Sequence, residues 1–141
     1  MRIAIVLLLY LCSHLSFSQG NIDTLNFEGG VELAHFNFLN SSLSMTEKEQ
    51  GEFWVRYEEM GKAQAILKYN QQSLKNSILY GFLKSDDEIV SIIERIAEVD
   101  IEKIYVKRDF IIDCVEILDP KRAIKYSLLE KQFRKKAKSI N

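Results

Sequence analysis

The residues able to do chemistry are few. Past the first twenty positions the chain has one histidine, His35, and one cysteine, Cys114. A nucleophilic pair would need that thiol beside that imidazole, and nothing in the sequence places them together. Glu32 and His35 stand three apart, so on a helix they could share a metal ion. Two ligands do not close a site, since transition metals take three or four from the protein. The bland reading of His35 is a packed side chain on a short apolar helix, and that of Cys114 is a small buried apolar residue. No catalytic set emerges, and neither a metal nor a cofactor is expected. A lone cysteine also cannot close an internal disulfide.

What must position these residues is helix. The chain has 141 residues, one proline and six glycines, a scarcity of breakers that disfavours a turn-rich β protein. Met1-Arg2, the apolar run Ile3 to Leu11 and the small residues Ser16 and Ser18 form a secretory signal pattern over residues 1–18. The apolar run is too short to span a bilayer, which takes about 20 residues. Leu11 before Cys12 is not the small residue that lipoprotein processing requires. The full chain carries 19 basic and 20 acidic residues, and loss of Arg2 leaves 18 against the same 20. Such a balance gives no electrostatic reason to bind nucleic acid. Residues 19–30, polar and ending in Gly29-Gly30, read as a flexible leader. Residues 31–141 form the domain.

Four helical segments follow. The first is Val31 to Asn40. The second opens with the capping box Thr46-Glu47-Lys48-Glu49. It carries Phe53, Tyr57, Met60, Leu67, Leu74 and Ile78 on one seven-residue repeat, interrupted by Gln64 and Gln71. After Gly81, the third opens with a second capping box, Ser85-Asp86-Asp87-Glu88. It continues through Ile89, Ile92, Ile93, Ile96, Val99, Ile104, Ile111, Val115 and Leu118. The fourth opens at Asp119-Pro120, where proline suits the first helical turn. Tyr126, Leu129, Phe133 and Ile140 line one of its faces, within a basic tail from Lys131 to Lys138. The expected architecture is all-α: an elongated antiparallel helical hairpin with short flanking helices.

Two long helices with narrow seams cannot enclose a core alone. The first and fourth helices must cover part of the seam, and a second protomer could cover the rest, so a homodimer is expected. Phe53, Trp54 and Tyr57 form an aromatic cluster. It suits either core packing or, with Met60, Tyr126, Phe133 and Arg134, a surface for a client or a second copy. The basic tail is either a solvated helix end or a patch for acidic partners.

Two stretches carry a family likeness. Phe36-Asn37-Phe38-Leu39, then Leu43-Ser44-Met45-Thr46-Glu47-Lys48-Glu49 and Phe53-Trp54 with Tyr57, resemble the first motif of the Spy/CpxP-like periplasmic proteins. The branch labelled "sensor of ECF-type sigma factor" is the one most similar. Leu118-Asp119-Pro120-Lys121-Arg122-Ala123, followed by Tyr126, Glu130 and Phe133-Arg134, resembles the second. Leu43, Thr46, Glu49, Leu118, Pro120 and Glu130 are the motif positions. Met45 stands where leucine is usual and Val55 where proline is usual, and the His-rich metal-binding segments of some relatives are missing. The resemblance implies a four-helix, cradle-like dimer in the periplasm. It implies ATP-independent chaperoning of unfolded envelope proteins or, alternatively, regulatory binding of a membrane-anchored anti-sigma factor or sensor kinase.

Overall fold

The computed structural model describes residues 29–81 and 85–139. The signal-peptide expectation, Cys12 and most of the expected leader lie outside them. The fold is all-α. Among the described residues there are four helices: α1 (Val31–Ser42), α2 (Glu47–Tyr80), α3 (Asp86–Ile117) and α4 (Pro120–Lys138).

Each start is set by local chemistry. Thr46 Oγ1 accepts from the Glu49 amide at 3.3 Å, and the Thr46 amide donates to Glu49 Oε2 at 2.8 Å. Ser85 and Glu88 repeat the reciprocal pair at 3.3 and 2.9 Å. Each box satisfies first-turn amides that the helix itself leaves without acceptors. Asp119 caps α4 through Oδ1, which accepts from the Arg122 amide at 2.9 Å. α1 runs two residues past Asn40, the end expected from sequence, and stops where Ser44 takes a left-handed φ of +49°.

The chain divides into two compact units. The first joins the described residues of Met1–Ser44 to those of Leu129–Asn141. Its core is Ala34, Phe38, Leu39, Leu43, Leu129 and Phe133, all buried. Phe38 stacks on Phe133 with ring centroids 5.8 Å apart.

The second unit, Met45–Leu128, holds α2, α3 and the first half of α4. α2 and α3 pack antiparallel: Phe53 meets Phe110 with centroids 5.5 Å apart, and farther along Gln64 Nε2 donates to the Lys103 carbonyl at 2.7 Å. The seven-residue repeat expected for α2 is its sheltered side. Phe53 and Gln71 are buried, while Tyr57, Met60, Gln64, Leu67, Leu74 and Ile78 are half-buried.

α3 departs from expectation. Its seam runs through Ile89, Ile92, Ile96, Val99, Lys103, Val106, Phe110 and Cys114. Ile93, Ile104 and Val115, read from sequence as seam residues, are 54%, 63% and 37% exposed. The physical reason is the polar middle of α2. The Lys103 ammonium donates to the Gln71 side-chain oxygen and, at 3.2 Å, to Asp100. Facing Gln71, the Lys103 side chain finds an acceptor that Ile104 could not use. A buried amide without a partner costs about 1–3 kcal/mol, of the same order as the ~1.5–3 kcal/mol gained by burying one isoleucine, and turning the helix would also take the buried Phe110 and Cys114 out of the seam.

Candidate functional site

The aromatic cluster is core. Phe53 is fully enclosed and packs edge-on against Phe110 and Tyr126, each at 5.5 Å. Tyr57 stacks on Phe53 at 6.1 Å, and Trp54 meets Tyr57 edge-on at 5.1 Å. Mixed edge and stacked contacts of this kind add about 0.5–1.5 kcal/mol per pair beyond area burial. The client-surface assignment is therefore corrected for Phe53, Tyr126 and Phe133, which are at most 4% exposed. Trp54, Tyr57 and Met60 are half-buried on α2. Arg134 is exposed, and its Nε donates to Glu130 Oε1 at 2.6 Å.

The motif residues are structural too. Leu43 and Leu118 are buried, and Thr46 is the α2 cap. Glu49 does more than close its box. Arg122 grips it with both terminal nitrogens, at 3.0 and 2.6 Å. Arg122 Nε reaches Asp119 at 2.6 Å, and its remaining bond goes to the Leu118 carbonyl. Just behind Pro120 at the start of α4, this fork ties the α4 cap to the first turn of α2. The hydrogen bonds from Arg122 hold the Glu49 carboxyl down to about 2.

His35 does not pair with Glu32. Its Nε2 lies 2.6 Å from Glu130 Oε2, and its ring lies 4.7 Å from that of Phe133. Burial pushes the Glu130 carboxyl up, but bonding to His35 and Arg134 outweighs it, leaving the group below its ordinary value. Cys114 is fully enclosed, and desolvation drives its thiol up to about 12. A thiol so held is not a nucleophile at neutral pH. No group of three or more metal-ligating side chains occurs among the described residues.

What the second unit offers instead is apolar surface. A shallow groove of about 430 Å³ lies between α2 and α3, lined by Ala63, Ile66, Leu67, Tyr105 and Val106, with Glu102 and Asp109 at its rim. Ile66 is 62% exposed and Tyr105 50%. Farther along the same two helices a second groove of about 520 Å³ is acidic, with Glu52, Glu59, Asp113 and Glu116 around Arg56. The apolar groove was not read from sequence. Its signal was present: Ile66 falls off the repeat expected for α2, and Tyr105 off the stripe expected for α3.

Comparison with family models, with curated proteins and with solved structures finds no match.

Proposed function

We propose that this protein is a contact-driven chaperone of the bacterial envelope, working in the periplasm. It holds apolar segments of unfolded polypeptides without ATP or a cofactor. The observation that carries this reading is the open apolar groove between α2 and α3. Its walls are aliphatic and aromatic, its rim is charged, and its long helical walls are fixed by capping boxes at their starts. An extended client segment could lay two or three apolar side chains along it, and burial there contributes about 25 cal/mol per Å². Such binding is broad in specificity because nothing in the groove reads a particular polar pattern. The resemblance to Spy/CpxP-like proteins points the same way.

The test is light scattering of a denatured client at equimolar protein. Aggregation should slow at least several-fold, and the groove variant Ile66→Ser/Tyr105→Ser should lose most of that effect while keeping its helical content. Full protection by that variant would sink the groove assignment, and no slowing by the unaltered protein would end the chaperone reading. Recovery of one dominant membrane protein in a pull-down from envelope extracts would turn the reading towards a regulatory sensor.

A further inference from the structure

The apolar groove and the acidic groove lie on the same side of the α2–α3 pair. On α2, Glu52, Val55, Glu59, Ala63 and Ile66 succeed one another in steps of three and four residues, and on α3 so do Glu102, Tyr105, Asp109, Asp113 and Glu116. Each set therefore occupies one side of its helix. The helices run antiparallel, so Ala63 and Ile66 share the apolar groove with Tyr105, while Glu52 and Glu59 share the acidic one with Asp113 and Glu116. The two grooves are successive stretches of one trough within the second unit.

Charge along this trough is uneven. At the apolar stretch each rim carboxylate is met by an arginine: Arg95 reaches Glu102 at 2.9 Å, and Arg108 reaches Asp109 at 2.6 Å. The Arg108 guanidinium also lies 4.7 Å from the centre of the Tyr105 ring. A client cation gains little there. At the acidic stretch four carboxylates surround one guanidinium, that of Arg56, which is shared between Glu59 at 2.9 Å and Asp113 at 4.0 Å. Glu52 also meets Lys48 at 3.8 Å, but that lysine side chain is 86% exposed and neutralises little.

We propose that the trough selects unfolded segments in which lysine or arginine stands a few residues from an apolar run. Such selection presupposes the chaperone reading, whose clients it narrows. The apolar groove itself reads no polar pattern; the carboxylates beyond it read charge. The centres of the two stretches lie about ten residues apart on either helix, roughly 15 Å. An extended chain rises about 3.3 Å per residue. Cations four or five residues from the apolar side chains therefore reach the acidic stretch, and acidic residues at that spacing are repelled.

Fluorescence anisotropy on the protein expressed from the full 141-residue sequence tests this. Three labelled nonapeptides serve as probes. The first carries an apolar triplet with two lysines about four and five residues on. The second has glutamates in place of the lysines, and the third keeps the lysines but has serines in place of the triplet. The first should bind roughly tenfold more tightly than either of the others at low salt, and its lead over the second should shrink in about 0.5 M salt. Glu52→Gln/Glu116→Gln should bring the first two peptides within about threefold of each other, and Glu52→Lys/Glu116→Lys should reverse their order. Both glutamates are exposed, so circular dichroism should show unchanged helix content. Equal binding of the first two peptides by the unaltered protein overturns the charge selection. An order unchanged in the lysine variant overturns its placement at the acidic stretch. Equal binding of the first and third overturns the link to the apolar groove, and binding of none of the three overturns the whole. The chaperone reading is judged apart, by light scattering, and survives a loss of charge selection.

Discussion

Replacing Arg122 with methionine is the sharpest probe of how the second unit is held together. The substitution keeps most of the side-chain volume and removes the fork that binds Glu49, Asp119 and the Leu118 carbonyl. A carboxyl held at about 2 rather than 4.5 sets an upper limit near 3.4 kcal/mol for its interactions in the folded state. The Glu49 side chain is 20% exposed and that of Arg122 27%, so screening brings the pair to about 1–2 kcal/mol. Loss of the bonds to Asp119 and the Leu118 carbonyl adds about 1 kcal/mol. Arg122→Met should therefore cost about 2–3 kcal/mol at pH 7, or on the order of 10–20 °C in Tm for a unit this size. The pH dependence has a definite sign. Glu49 is depressed on folding, so its contribution is complete above the unfolded value of 4.5 and fades as pH falls through about 2. Asp119 is lowered in the same sense by Arg122. The gap between wild type and variant should thus shrink across that window. Urea unfolding followed by circular dichroism at pH 7 and pH 3 measures it. A double-mutant cycle with Glu49→Gln should give a coupling of at least about 1 kcal/mol. Additivity, or a gap that does not change with pH, would refute the role given to this fork.

Other outcomes follow from the same contacts. Lys103→Met should cost about 1–2 kcal/mol, because Gln71, only 8% exposed, loses the ammonium; Lys103→Leu/Gln71→Leu should recover that stability in urea titrations, since an apolar pair leaves no polar group unpaired. His35→Ala should cost about 1.5–3 kcal/mol by removing the bond to Glu130 and the contact with Phe133, and amide exchange should show α1 losing protection first. Cys114 should resist a thiol reagent at pH 8 in the native protein and react within minutes in denaturant, given its enclosure and raised pKa.

Much of the fold was legible because helix starts are local events. Thr46 with Glu49 and Ser85 with Glu88 need only three residues of separation to satisfy first-turn amides, so the starts of α2 and α3 could be read directly. The sheltered side of α2 was legible for a similar reason: its other faces are largely polar, leaving one stripe to bury. The His35–Glu130 and Glu49–Arg122 pairs were not. Their partners stand 95 and 73 residues apart, and no local pattern records which distant side chain a carboxylate will meet. The aromatic run Phe53-Trp54-Tyr57 was ambiguous because burial and exposure use the same residues; the rings of Phe110 and Tyr126 decided for burial.

The sequence by itself determined that this chain is helical, where its long helices begin, and that those helices carry more apolar surface than one seam can cover. Only the tertiary structure decided how α3 is turned. α3 is apolar on more than one side, so periodicity alone permits either to face α2. Gln71 selects the side with Lys103, because a buried amide must find a hydrogen-bonding partner. That requirement leaves a largely aliphatic side, with Val90, Ile93, Ile101, Ile104, Ile112 and Val115, facing outward.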